Sequence, residues 1–223
     1  MVLISHTYKL VFIHIPKTGG SYVKKILMNI DPEFLQISNA EYGHHPFYKI
    51  KDLEIYEKIK DYTFFCTVRE PFDLLLSHYN YILTCKESYY LYNDINNKSF
   101  NESIDLLLEH NTELNLRYIK ENVDEYNEIN NPINKDIVIL NFHNIKDDLI
   151  NFLLDFKISK DILNEIDFSE KVNCSNIFTK LKDIDTEYFL KTNYSLRKVV
   201  EDNKILFKNH EDFKPHPIKG ILL

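Results

Sequence analysis

The sequence has little of what would staple a chain, cage a metal or anchor it in a membrane. Its three cysteines, Cys66, Cys85 and Cys174, stand far apart, with neither a paired framework nor a metal-ligand spacing. They read as reduced thiols, which excludes a disulfide scaffold and a cysteine-rich zinc site. No apolar run approaches the length of a transmembrane helix, and Met1 to Tyr8 lacks the charged and apolar regions of a signal peptide. The expectation is a soluble, cytoplasmic chain, in which the four N-x-S/T sequons at Asn97, Asn101, Asn173 and Asn193 carry little weight. A cationic excess is missing too. With 27 Lys and Arg against 34 Asp and Glu, the net charge of −7 argues against a surface that coats nucleic acid or another polyanion. A few local cations can still hold an anionic ligand.

What is there is ordinary for a globular protein: 223 residues, 44% hydrophobic and 27% charged. With no internal repeat and no linker, one domain over residues 1–223 is expected. Glycine is scarce, four in all, yet two are adjacent in Lys9 to Ile30, KLVFIHIPKTGGSYVKKILMNI. Leu10 to Ile13 is an apolar run fit for a buried strand. Pro16 ends it, Gly19 and Gly20 permit a sharp turn, and Ser21 is placed to cap a helix. Tyr22, Val23, Ile26, Leu27 and Ile30 then repeat at helical spacing, with Lys24 and Lys25 on the other face. Such a turn aims backbone N–H groups and the positive end of a helix dipole at one point, a place for phosphate or another oxyanion. Lys17, Thr18 and Ser21 add a charge and two hydroxyls. It is not a Walker A loop, because the lysine precedes the glycines. The bland alternative is a plain strand-to-helix connection that contains Gly-Gly.

Further along, Tyr42-Gly43-His44-His45-Pro46 puts two histidines on a loop within reach of solvent or substrate, most simply as surface residues and less readily as a metal pair, since no other His or Cys at ligand spacing accompanies them. Lys51 to Lys60 reads as a short amphipathic helix. Tyr62 to Val68 reads as a second central strand, with Arg69 at its carboxyl end and a helix from Glu70-Pro71 carrying Phe72, Leu75, Leu76 and Tyr79 inward. Open α/β sheets bind ligands at that end of their strands. The Tyr-rich stretch Cys85 to Lys98 is an irregular excursion, either a surface loop or an acceptor platform. One or two helices are expected within Phe100 to Val123, a connection over Asp124 to Asn134, and a third strand at Asp136 to Phe142 with Asn144 capping the next helix. Helical packing over Tyr188 to Phe207 and a tail from Asp212 complete the chain. Strands alternating with helices predict an α/β fold with a parallel sheet covered on both faces.

His14-Ile-Pro-Lys-Thr-Gly-Gly-Ser-Tyr22 resembles the 5′-phosphosulfate loop of sulfotransferases that use 3′-phosphoadenosine 5′-phosphosulfate (PAPS), above all carbohydrate sulfotransferases of the heparan sulfate 2-O type. Val68-Arg-Glu-Pro-Phe-Asp-Leu-Leu-Leu-Ser-His-Tyr79 resembles their 3′-phosphate motif. The resemblance spans most of the chain and is sharp at these two motifs. It implies a single-domain three-layer sandwich with a central, mainly parallel sheet and a P-loop-like phosphosulfate-binding loop. It implies cofactor contacts from Lys17, Thr18, Gly19, Gly20, Ser21 and Tyr22, with Arg69 and Ser77 on the 3′-phosphate; a guanidinium suits phosphate because it grips with two parallel hydrogen bonds. Asn173 and Ser175, in an Asn-x-Ser at a similar place in the family, are further candidates. Leu74 stands where the family often has a basic residue.

By the same resemblance His44, in the Gly-His position, is the base for the acceptor hydroxyl, with His45 as fallback, and Lys17 steadies charge on the leaving phosphate side. No metal is expected, since Lys17 and Arg69 supply the cations. A carbohydrate hydroxyl is the favoured acceptor; a small alcohol, a lipid or a tyrosine places the same demands on the donor site. Lys24, Lys25, Lys49 and Lys51 are either a basic groove or a solvated face. Two rivals stand beside this reading. A P-loop kinase or nucleotide hydrolase needs a Walker lysine and a magnesium-binding hydroxyl in proper order, which this chain lacks. An inactive PAPS-binding module predicts binding without transfer.

Overall fold

A computed structural model describes residues 1–38, 44–110, 115, 118, 136–169, 184, 190–191, 194–203 and 206. The chain divides into two compact units, one of Met1–Arg69 with Asn115–Asn173, the other of Glu70–Leu114 with Cys174–Leu223.

The first unit is built on a sheet of β1 (Val2–Ser5), β2 (Leu10–Ile13), β3 (Leu35–Ile37), β4 (Thr63–Val68) and β5 (Val138–Asn141), in the order β3-β1-β2-β4-β5. β1 is antiparallel to both neighbours, whereas β2, β4 and β5 are parallel. Four strands therefore run one way and β1 runs against them. The three apolar runs predicted as strands are strands. The reading did not assign β1 or β3, because β1 is a four-residue run and β3 is an edge strand with Leu35 and Gln36 exposed.

Register sets the two faces of the sheet. Leu3, Phe12 and Phe65 pair in one row. On that face α1 (Gly20–Ile30) lays Val23, Ile26 and Leu27, and α7 (Ile145–Asp155) lays Leu149, Phe152 and Leu153, both at helical spacing. Phe65 closes this core against Phe12 and Phe152, at ring distances of 5.1 and 4.5 Å. On the opposite face Phe64 meets Phe47 of α2 (Phe47–Lys51) edge-on at 5.2 Å. Of the helix expected over Lys51 to Lys60, only Lys51, which ends α2, and α3 (Tyr56–Ile59) are helical; between them Leu53 and Tyr56 bond back only three residues, to Ile50 and Leu53. A short α8 (Lys160–Asn164) is capped by the Ser159 hydroxyl, which accepts from the Ile162 amide.

The second unit is helical among its described residues. α4 (Pro71–Cys85) is capped by the Glu70 carboxylate, which accepts from the Asp73 amide at 2.8 Å, with Pro71 in the first turn as expected. Phe72, Leu75 and Tyr79 of α4 pack with Ile104 and Leu107 of α6 (Phe100–His110) and Leu196 of α9 (Tyr194–Asn203). Phe100 sits among them, edge-on to Phe72 and Tyr79 at 5.5 Å each. The Tyr-rich excursion contains a 3-10 turn at Lys86–Ser88 and α5 (Tyr92–Ile95), with Tyr89 stacked on the exposed Tyr90. Tyr42, Gly43, Asn173, Cys174, Ser175, the connection over 124–134 and the tail from 212 lie outside the described residues. Among the described residues no helix is long and apolar enough to cross a membrane.

Candidate functional site

After β2 the chain turns through Lys17 and Gly19, both with left-handed backbone (φ 63° and 86°). Gly19 is the N-cap of α1, and Tyr22 and Val23 donate back to its carbonyl at 2.9 and 3.2 Å. The expected cap at Ser21 is corrected: Ser21 is the second residue of the helix, and no side chain caps it. A helix cannot satisfy its first amides internally, so this turn sits at a donor-rich, dipole-positive end. Glycine is required at both positions. A Cβ on Gly19 would stand 2.9 Å from Cδ1 of Ile145 and 3.0 Å from Cδ2 of Phe142, besides the positive φ, and one on Gly20 would stand 1.9 Å from Cδ2 of His14.

Two hydroxyls of the motif are turned to the protein itself. Thr18 is fully buried and donates to the Ile15 carbonyl at 2.9 Å. That uses its single proton, so at the 2.8 Å contact between hydroxyls Thr67 of β4 is the donor. What Thr18 has left for a ligand is its backbone amide. The Tyr22 hydroxyl donates to the Phe168 carbonyl at 3.0 Å, and burial, then Asp167 and Asp147, raise its pKa.

Arg69 directly follows β4 and is held from three sides. The buried Asn115 brackets its backbone, donating from Nδ2 to the Arg69 carbonyl at 2.7 Å and accepting from the Arg69 amide at 3.4 Å. Its Nη1 donates to the Lys17 carbonyl at 3.0 Å, and its guanidinium lies 4.1 Å from the centre of the Phe142 ring. Phe142 opens the 3-10 turn Phe142–Asn144 after β5. Asn141 shapes that turn by accepting from the His143 amide, and Asp148 accepts from the Asn141 amide. Asn144, expected to cap α7, makes no side-chain capping bond. The loop after β2, the end of β4 and the end of β5 thus meet at the carboxyl ends of three parallel strands.

The second histidine of the predicted pair differs from the first. His44 is half-buried, with Nδ1 2.9 Å from the His14 carbonyl. A carbonyl only accepts, so Nδ1 carries the proton and Nε2 the lone pair. Burial, then the Met1 amino group and the neighbouring His45, hold the His44 pKa down to about 4 against the opposing pull of that bond. His45 is buried, its Nε2 is enclosed without a hydrogen-bond partner, and burial lowers its pKa. Ser77 lies on α4 in the helical unit, half-buried. Of the four lysines weighed as a groove, Lys24 donates to Gln36 at 2.6 Å, and Lys49 and Lys51 lie over the rings of Tyr48 and Phe47. The sequence reading did not single out Phe142 or Asn115. Phe142 ends the third predicted strand, a signal that was available; Asn115 lies within the stretch expected to be helical, where no motif marked it.

A mostly parallel sheet with a glycine turn, two cations and a neutral imidazole gathered in the same unit is the framework of an α/β protein that handles anions. The chain belongs to the sulfotransferase family, whose model matches residues 1–213 and so runs through both units. That family includes carbohydrate sulfotransferases such as those of the heparan sulfate 2-O type. No match was found among curated proteins.

Proposed function

We propose that the protein transfers the sulfuryl group of PAPS to an acceptor hydroxyl, most favourably on a carbohydrate. In this reading residues 1–223 form one sulfotransferase domain, a three-layer sandwich with a P-loop-like phosphosulfate loop. The observation that carries it is the 3.0 Å bond from Arg69 Nη1 to the Lys17 carbonyl, which ties the two motifs of the resemblance together beside Phe142. The left-handed turn through Lys17 and Gly19 at the start of α1, with Lys17 and Arg69 as its cations, fits an anionic donor.

PAPS, when bound, supplies an activated sulfuryl group on a nucleotide that also carries a 3′-phosphate. The chain's residues do the rest. The amides of the turn and Lys17 hold the phosphosulfate side and stabilise negative charge developing there. Arg69 holds the 3′-phosphate, with Ser77 assigned alongside it by the motif; Asn173 and Ser175 stay candidates on resemblance alone. His44 takes the acceptor proton on Nε2, being neutral at pH 7 with Nδ1 engaged. His45 is the weaker choice, because its Nε2 is enclosed.

The test is calorimetric binding of 3′-phosphoadenosine 5′-phosphate, without magnesium, to wild type, Lys17→Ala and Arg69→Ala. Binding by wild type that is lost in both variants supports the donor site, and a His44→Ala variant that binds but transfers nothing separates an enzyme from an inert binding module. No binding by folded wild type sinks the reading.

A further inference from the structure

His14 opens the turn, and the chemistry above leaves its side chain unused. It is 8% exposed, and its Nδ1 has no hydrogen-bond partner. Enclosing an imidazole nitrogen unsatisfied is unfavourable, so an apolar side chain would suit the fold at least as well. The imidazole instead fills a defined gap. One side faces Phe12, at 6.0 Å and 22°; the ring meets His44 edge-on, at 4.6 Å and 85°. It also covers the first residue of α1 so closely that Gly20 has room for no Cβ, which would fall 1.9 to 2.6 Å from three of its ring atoms. The His14 backbone acts on the same neighbour, since its carbonyl accepts the Nδ1 proton of His44 at 2.9 Å.

We propose that His14 is a positioning residue for proton removal: its ring is the spacer that sets His44 against the start of α1, and its carbonyl fixes which nitrogen of His44 is free. This rests on the reading of His44 as the base. Without the ring, His44 loses the wall that keeps water from it and can turn. Both tautomers then become populated, and the nitrogen facing the acceptor carries the lone pair only part of the time. The groups that act on the His44 charge are His14 and the Met1 amino group from the sheet side and His45 from its own loop, with Lys17 and Lys24 acting in turn on His14. Burial is the largest influence on the His44 charge, and the His14 ring, edge-on at 4.6 Å, is one of the groups packed against it.

The experiment follows the His44 imidazole by nitrogen-15 NMR across pH in wild type, His14→Ala and His14→Asn, with the resonance assigned by its absence from His44→Gln. Wild type should hold a single Nδ1–H tautomer and titrate well below free imidazole. His14→Ala should show mixed tautomers and a midpoint at least one pH unit higher. Its kcat should fall tenfold or more, with the acid limb moved up in pH, while the Kd for 3′-phosphoadenosine 5′-phosphate changes less than threefold. A folded variant with unchanged His44 tautomer and midpoint, or a loss confined to nucleotide affinity, overturns the proposal. If His14→Ala does not fold, the same readings on His14→Asn decide. A wild type that neither binds the nucleotide nor transfers sulfuryl defeats the sulfotransferase reading, and the NMR data then still decide whether His14 orients His44.

Discussion

The two units bury different things. Among the described residues the helical unit encloses three polar side chains, Asn80, Ser103 and Asn203, within a core of Phe, Leu and Ile. The sheet unit encloses eight: Ser5, His14, Thr18, Asp31, His45, Thr67, Asn115 and Asn141. Six of those lie in or against the segments that form the candidate site, and several have named partners, such as Thr18 with Thr67 and Asn115 with Arg69. A buried polar group is unfavourable unless it is satisfied, and once satisfied it specifies one geometry. The helical unit is held by packing. The sheet unit gives up part of that uniform core to fix the positions of Lys17, His44 and Arg69.

Substitutions can set the two kinds of interior against each other. The largest effect is expected in the helical core. Phe100→Ala removes a ring held by Phe72 and Tyr79, and should lower stability by about 4 kcal/mol in urea unfolding, leaving nucleotide Kd within twofold for the folded protein. Arg69→Ala should do the reverse. Under the proposed function, loss of its charge-assisted phosphate grip predicts about a hundredfold weaker nucleotide binding, about 3 kcal/mol by calorimetry, with a much smaller change in unfolding midpoint.

Gly20→Ala drives a methyl into the His14 ring and should cost about 2 kcal/mol of stability; the double variant with His14→Ala should recover most of it. Full additivity in that cycle breaks the claim that the two residues meet. The histidines give the next effect. The His14 pKa is pushed down to about 3 by burial first, then by His44 and nearby positive groups, and His44 is held to about 4. Both are free to protonate near 6.5 when unfolded, so the unfolded chain takes up protons first as pH falls. Stability should be unaffected above about pH 6.5 and drop below it by up to about 1.4 kcal/mol per pH unit per histidine, levelling near the folded pKa values. Urea midpoints at pH 7 and pH 5 measure this, and His44→Gln should flatten the slope. The smallest effect is at Phe142→Leu, which removes the ring beneath the guanidinium; nucleotide affinity should weaken about fivefold, about 1 kcal/mol.

Much of the fold was legible because its core segments have clean periods. Leu10–Ile13, Thr63–Val68 and Val138–Asn141 are apolar runs of strand length, and α1, α4, α6 and α7 repeat their apolar positions at helical spacing. The antiparallel β1 was not legible, since a four-residue run that ends at Ser5 carries no sign of its direction. Nor was the break between α2 and α3, because the apolar spacing over Lys51 to Lys60 continues through it. Within the site, the loop and Arg69 could be read from two motifs. The different surroundings of His44 and His45 could not, since they turn on which nitrogen the His14 carbonyl meets and which one packing encloses.

By itself the sequence determined that a strand, a glycine turn and a helix follow one another at Leu10 to Ile30, that an arginine ends the next strand, and that two histidines stand between them. These are local matters of φ, ψ and hydrophobic period, settled by neighbours in the chain. Only the tertiary structure decided that Arg69 reaches the Lys17 carbonyl, that Phe142 lies beneath the guanidinium, that the Thr18 hydroxyl turns inward, and that the His14 ring meets both His44 and Gly20. Those depend on distances between segments up to 73 residues apart, in the case of Arg69 and Phe142. Such distances are set by strand order and register, and packing that tolerates no overlap fixes which side chains then meet.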